Sequence, residues 1–253
     1  MFFILNNSKS GMVAQQQKLD IISNNMVNVN TTGYKKLDSS FSTLFYKNLN
    51  SKSIPTTPGQ NSFLGNGVKI NSPVRSVLQG SLQNTGINTD IAIDGEGFLK
   101  ITNGKGESSY TRSGALNIDV FGRLTDKDGN LIDITYEQGI DPNNTGLNPS
   151  NIVIDKLGFV STSDGKPVGK INLYNTVGDA KLISVGNNNF VPVNKDVIMF
   201  PVFSDIHQGH LEMSNVDVAQ EMSEMILAQR AYQIASKGIT TADEMWSMLN
   251  NVR

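Results

Sequence analysis

The sequence predicts an α+β fold: long N- and C-terminal helices forming a coiled-coil layer, with an all-β, antiparallel middle domain. Three observations carry this expectation. Leu5, Met12, Leu19 and Met26 recur every seven residues near the start. Val218, Met225, Tyr232, Ile239 and Trp246 recur at the same spacing near the end. Seven is the repeat that keeps an apolar seam turned toward a partner helix. The long stretch between them, rich in Gly, Asn, Thr and Val, carries the alternation and turn signals of short strands.

Residues 1–33 read as the first half of a terminal helical assembly domain. A helix from about Phe3 to Val29 would be about 40 Å long at 1.5 Å per residue. Its second seam set is Ser8, Gln15, Ile22 and Val29, half of it polar. Asn24, Asn25, Asn28 and Asn30 crowd its end, and Gly33 can stop it by taking positive φ. An Asn-rich, weakly apolar helix gains its order from a partner that covers it.

Residues 34–66 read as an extended connector. Phe41, Leu44 and Phe45 can continue a helical face, and Pro55, Pro58 and Gly59 mark an exposed loop. Residues 67–213 read as a β-rich outer domain. Val68-Lys69-Ile70 alternates, Ile91-Ala92-Ile93 runs into Asp94-Gly95, and Leu116, Ile118 and Val120 alternate with polar residues. So do Ile152 and Ile154, and Ile171 and Leu173. Asn103-Gly104 and Asp128-Gly129 are hairpin turns. The Pro/Gly/Asn stretch near 141–150 is a candidate break between two lobes.

At Ser214 the helical pattern returns and residues 214–253 complete the assembly domain. Ser214 fits an N-cap, with the acid Asp217 three residues on. From there to Leu249 there is no Pro, and Gly238 is the one Gly. The second seam set here is Met222, Gln229, Ser236 and Asp243. Ile226, Leu227, Ile234, Met245 and Leu249 lie off the seam, and a face that wide contacts more than one neighbour. Neither helix can bury its stripe alone. The candidate assembly residues are therefore Leu5, Met12, Leu19, Ile22, Met26 and Val29 at one end, and Val218, Met222, Met225, Tyr232, Ile239 and Trp246 at the other.

Composition narrows the function classes. The net charge of −2 offers no basic face to a nucleic acid. Without cysteine there is no disulfide framework, thiolate zinc site or cysteine nucleophile, which suits a chain that crosses a membrane unfolded. No stretch reaches the roughly 18 apolar residues of a membrane span, so no membrane insertion is expected. The opening MFFILNNSKSGM lacks the basic start and long apolar core of a secretory signal, so any exit from the cytoplasm uses another route.

The residues with chemical potential have plainer readings. His207 and His210 are the only histidines, too few ligands for a structural or catalytic zinc. Asp126, Asp128, Asn130 and Glu137 fall in a calcium-loop register, but Leu131 stands where the loop needs Gly, and a hairpin explains the same letters. Asp94-Gly95-Glu96-Gly97 lacks the third glycine of a dinucleotide loop. Asp90, Asp94 and Glu96 can be read as paired carboxylates of a cell-wall hydrolase, or as turn acids. No catalytic residue, metal or cofactor is expected.

Three blocks carry a resemblance. SGMVAQQQKLDIISNNMVNVNTTGYKK near the start, LQGSLQNTGINTDIAIDGEGFLKI with YTRSGALNIDVFGRL in the middle, and SNVDVAQEMSEMILAQRAYQIASKGITTADEMWSML at the end resemble the flagellar basal-body rod and hook proteins. The length, Leu64-Gly65-Asn66-Gly67-Val68 and Ala228-Gln229-Arg230-Ala231-Tyr232 look most like the distal rod members; proximal rod members of similar length, or a hook–basal-body adaptor, are the alternative. The stretch IDITYEQG departs from the family's Leu-x-Gly turn. The resemblance implies a structural, non-catalytic subunit of the basal body. It implies export by the flagellar type III apparatus without a cleaved signal, and helical polymerisation with itself, other rod proteins and the hook protein into the motor's drive shaft.

Overall fold

The computed structural model describes residues 2–48, 63–176, 182–193 and 198–251. The chain divides into two compact units. One is Met1–Val27, Lys36–Ser76 and Val216–Arg253; the other is Asn28–Lys35 and Val77–Asn215.

The first unit holds the two helices found among the described residues, α1 (Phe2–Val27) and α2 (Val218–Asn251). The cap of α2 is Asp217, not Ser214. Its carboxylate Oδ1 accepts the amides of Ala219 at 2.9 Å and Gln220 at 3.3 Å, which satisfies two otherwise orphaned helix donors. The two helices run antiparallel, with Gly238 beside Ser8 and Gly11 beside Ala235. A ribbon of short antiparallel pairs completes the unit. Leu37–Asp38 pairs with Val74–Arg75, Phe41–Thr43 with Val68–Ile70, and Tyr46–Asn48 with Phe63–Gly65. Phe41 is thus in a strand and Phe45 is exposed, so neither continues a helical face. The proline loop expected at Pro55 to Gly59 lies outside the described residues.

The expected coiled-coil layer is not what the structure shows. α1 and α2 are unequal in length, and α1 is also engaged by the ribbon. Asn7 Nδ2 donates to Gly65 O at 3.1 Å and Val68 N donates to Ser10 Oγ at 3.3 Å. The line that α2 buries is not the seam of large residues. It is Glu221, Ala228 and Ala242, with half-buried Ala235 between them, again every seven residues. Small side chains let two helices approach closely, so the stripe that is deepest is the one with least apolar bulk. The seven-residue rhythm is real, but a scan for large apolar residues finds its neighbour.

The second unit is β-rich and antiparallel, as expected. One sheet runs in the order Leu116–Ile118, Leu124–Asp126, Leu131–Ile132, Phe98–Thr102, Ser108–Thr111, Asn189–Pro192, Leu182–Gly186, with Leu173–Thr176 and Met199–Val202 branching from it. A second sheet orders Ile134–Tyr136, Pro167–Ile171, Phe159–Thr162 and Ile152–Ile154. Both hairpin turns appear: Gly106 N bonds Asn103 O, and Asp126 N bonds Asn130 O. Alternation along the strands feeds one core that includes Ile91, Leu99, Ile101, Leu124, Val160 and Val168. Leu147, within the 141–150 stretch, is buried in the same core. Val120 is not a strand residue. It is 97% exposed in a tight turn closed by Gly122 N to Asp119 O. Ile171 and Leu173 belong to different strands.

Candidate assembly surface

The α1–α2 pair is set by close approach and by one buried polar knot. A Cβ on Gly238 would stand 2.5 Å from Ser8 Oγ, so the helix backbones meet there with no room for a side chain in the present rotamer. At the other end Glu221, 1% exposed, accepts from Asn25 Nδ2 at 3.1 Å and pairs with Lys36 Nζ at 2.7 Å. Asn25 in turn exchanges hydrogen bonds with both backbone groups of Leu37, each at 2.9 Å. Burial works against the Lys36 ammonium. The hydrogen bond and charge of Glu221, helped by Glu224 and Asp38, outweigh it and raise its pKa above the ordinary value. Lys18 and Glu224, 2.9 Å apart, add a second pair along the same interface.

The expected assembly residues are spread across three environments. Ile22 is 1% exposed. Leu5, Met12, Leu19, Met26, Met225, Tyr232 and Ile239 are half-buried beside the Ala line, and Val29, also half-buried, lies past the end of α1. Val218, Met222 and Trp246 are exposed. The larger apolar surface is on the remaining sides of α2. Ile226, Leu227, Ile234 and Met248 are each about 60–70% exposed. At 100° per residue, Met222, Ile226, Ile234 and Met248 sit roughly 100° or more round the helix from the Ala line. Exposed polar residues such as Ser223, Arg230, Gln233 and Lys237 stand among them on the same sides of the helix. α2 therefore shows several large apolar side chains exposed among polar ones, of the kind that mark an interaction surface.

The sequence reading missed a second polar knot, in the β-rich unit. Glu212, with a side chain 2% exposed, binds Lys35 Nζ at 2.7 Å, Arg112 Nε at 2.5 Å and the Gly80 amide at 2.9 Å. The Arg112 guanidinium also donates to the carbonyls of Ile93, Gly95 and Gly97. Lys35 reaches Leu78 O at 2.8 Å. Burial lowers the Lys35 pKa from its ordinary value, against the opposing pull of Glu212. The knot fastens Asn28–Lys35 into this unit, with Gly33 at φ +68° handing its amide to Glu212 O at 2.8 Å.

The other candidates separate. Asp94 and Glu96 flank the turn whose carbonyls hold Arg112; Asp94 contacts His207 at 3.3 Å and Glu96 accepts from Asn175 at 3.0 Å. His210 contacts Gln208 O, its ring 6.0 Å from that of His207. Asp126 is buried in the hairpin turn, Asp128 meets Asn187, and Glu137 bonds Val168 in the other sheet, so no calcium loop forms. Burial raises the Asp126 pKa. Among the described residues no three His, Asp or Glu side chains gather as a metal site, and no helix is long and apolar enough to cross a membrane.

Family models place these elements. Residues 5–35 match the flagella basal body rod protein model, 92–191 the flagellar hook protein FlgE/F/G D1 domain, and 207–252 the flagellar basal body rod FlgEFG protein C-terminal model. The flagellar basal-body rod protein FlgG of Borreliella burgdorferi is 36% identical over 96% of both chains. The chain belongs to the flagellar basal-body rod protein family. FlgG of Buchnera aphidicola is 35% identical over 97% of both chains. The flagellar hook-basal body complex protein FlhP of Bacillus subtilis is 34% identical over 94%. As a rod-family member the protein is a structural component of the flagellar basal body. Its N-terminal matched segment covers α1 and the Asn28–Lys35 loop, and its C-terminal one covers α2.

Proposed function

We propose that this protein is the distal rod subunit, a non-catalytic protein that polymerises head-to-tail into the shaft carrying motor torque to the hook. The exposed apolar side chains of α2 are the observation that carries this reading. A contact between unlike surfaces, repeated with a screw rotation, builds an open tube rather than a closed ring. Burying Met222, Ile226, Ile234 and Met248 against neighbouring copies would supply the association free energy. A shaft that resists twist needs many close-packed contacts per subunit, and the exposed apolar side chains of α2 are available to make some of them. Export by the flagellar type III apparatus and contacts with other rod proteins and the hook protein belong to the same proposal. Relatives named FlgG over nearly full length favour the distal position, whereas the similarity to FlhP favours the hook–basal-body alternative.

The test is the variant Ile226→Ser, Ile234→Ser, Met248→Ser, purified and also expressed in the motile host. Circular dichroism should keep its helical signal, while polymerisation and motility are lost. Normal polymers from this variant would overturn the reading. Labelled protein in isolated basal bodies decides the position: signal next to the hook supports the distal assignment, and signal at the membrane end rejects it.

A further inference from the structure

The sequence holds two Asn-Gly steps, Asn66-Gly67 and Asn103-Gly104. A glycine after asparagine leaves the next amide nitrogen unhindered, since no Cβ shields it. That nitrogen can attack the side-chain carboxamide carbon when the side chain is free to rotate onto it. The structure treats the two steps differently. Asn103 is half-buried and clamped in its hairpin turn. Its Oδ1 accepts the amides of Lys105 at 2.9 Å and Glu107 at 3.0 Å, and its Nδ2 donates to Glu107 Oε2 at 2.8 Å. Asn66 is exposed and borders an open groove of about 540 Å³ between α1 and the ribbon. Its backbone is held, its amide donating to Phe45 O at 3.2 Å, but its side chain makes no hydrogen bond among the described residues. No hydrogen bond from the Gly67 amide is found among them either.

The Asn66-Gly67 step also sits where the ribbon is fastened to α1. Asn7 Nδ2 donates to Gly65 O at 3.1 Å on one side of it, and Val68 N donates to Ser10 Oγ at 3.3 Å on the other. Gly67, at φ +114°, packs so closely on α1 that an added Cβ would collide with the Ser10 hydroxyl. Asn7 and Ser10 lie about one turn apart on the same helix, so α1 fixes the spacing between the two fastenings. The backbone from Gly65 to Val68 has to match that spacing.

We propose that Asn66 is a self-modification site that converts spontaneously to aspartate and isoaspartate, and that the isoaspartate form loosens the ribbon from α1. Gly67 N bonds to Asn66 Cγ, the Cγ–Nδ2 bond breaks, and ammonia leaves with the Gly67 amide proton. Water then opens the cyclic imide. Cleavage of the Cγ–N bond gives aspartate at position 66. Cleavage of the bond from the backbone carbonyl carbon to N gives isoaspartate, whose main chain runs through Cβ and Cγ and is one carbon longer. The added carbon falls between Gly65 and Gly67, so Gly65 O and Val68 N no longer meet Asn7 and Ser10 together. The aspartate form adds charge without length and keeps both fastenings.

The experiment ages the full-length protein at mildly alkaline pH in heavy-oxygen water. Peptide mapping by mass spectrometry locates the label, and isoaspartyl methyltransferase scores the isoaspartate. Asn66 should convert to both products. Asn103 should convert slower by roughly tenfold or more, because its three side-chain hydrogen bonds oppose the attacking geometry. Protein enriched in isoaspartate at position 66 should unfold at lower urea than fresh protein. An Asn66→Gln chain aged alongside should keep its midpoint, and a fresh Asn66→Asp chain should match the parent. Label at Asn103 that equals or outpaces label at Asn66 would overturn the site. An isoaspartate fraction that unfolds with the fresh protein, or a fresh Asn66→Asp chain as weakened as that fraction, would overturn the loosening.

Discussion

Replacing Glu212 with alanine leaves two buried cations without their shared counter-ion. The side chains of Lys35 and Arg112 are 5% and 4% exposed, so water does not replace the lost carboxylate. Removing one partner of a buried pair costs about 3–5 kcal/mol. Arg112 keeps three backbone carbonyls and Lys35 keeps Leu78 O, which hold the loss toward the middle of that range. The Gly80 amide loses its acceptor as well. About 4 kcal/mol is then expected, a large part of the 5–15 kcal/mol that stabilises a typical domain. Glu212→Gln keeps the shape but not the charge and should cost less. Lys35 gives the pH signature. Its folded pKa lies below the ordinary value, so the unfolded chain binds the extra proton between the two values and stability rises with pH across that window. Without the Glu212 charge the folded pKa falls further and the window widens on its acid side. The deficit of Glu212→Gln should therefore shrink as pH rises from neutrality toward the ordinary lysine pKa of about 10.4. Urea unfolding followed by tyrosine fluorescence and circular dichroism measures both effects. An alanine variant within about 0.5 kcal/mol of the parent, the range of an ordinary surface change, would refute the reasoning, as would a glutamine deficit that grows with pH.

In the helical unit, Glu221→Ala should cost about 3 kcal/mol by removing the carboxylate that Lys36 and Asn25 share, and pairing Glu221→Leu with Lys36→Met should recover most of it; calorimetry of the three variants checks this. Lys18 holds the Glu224 carboxyl below its ordinary pKa, so that pair stabilises above the unfolded carboxylate value of about 4.3 and fades as pH falls through the lower folded value. Urea midpoints of the parent and Lys18→Met should converge between pH 6 and pH 3 (approximate bounds of that window), and a constant gap would contradict it. Gly33→Ala should destabilise by about 2 kcal/mol or more, since φ is +68° and the new Cβ would sit 2.7 Å from the Ser113 amide nitrogen; a neutral result in thermal unfolding would show that the loop yields. Tyr174, pushed up to about 12 by burial and by Asp133, should ionise last among the tyrosines whose titration absorbance at 295 nm is followed, and Tyr174→Phe should remove that late step.

Much of this fold was legible because local rules agreed with the tertiary result. Helix α1 starts and ends within about two residues of its expected bounds, and the Asn103 and Asp128 turns close hairpins where turn chemistry places them. The seven-residue rhythm at both ends was visible, but its deepest line was not. Ala228 and Ala242 are buried because they are small, and a search for apolar bulk settles on Met225, Tyr232 and Ile239 instead. The polar knots were illegible for another reason. Asn25 meets Glu221 across 196 positions and Lys35 meets Glu212 across 177, and nothing local to either residue names its partner. Asn25 in particular read as a helix-ending residue, while its side chain binds both backbone groups of Leu37. Apart from Val68–Ile70, whose alternation was visible, the ribbon arms between 37 and 75 escaped because strands of two or three residues are too short to display a period.

The central claim is that the outer side of α2, exposed in one copy, is covered in the assembled rod. Ile234, 71% exposed, is its most direct reporter, and the chain has no cysteine of its own. An Ile234→Cys chain should react rapidly with a maleimide when dilute and be protected in isolated basal bodies. Equal reactivity in the two states would contradict the account.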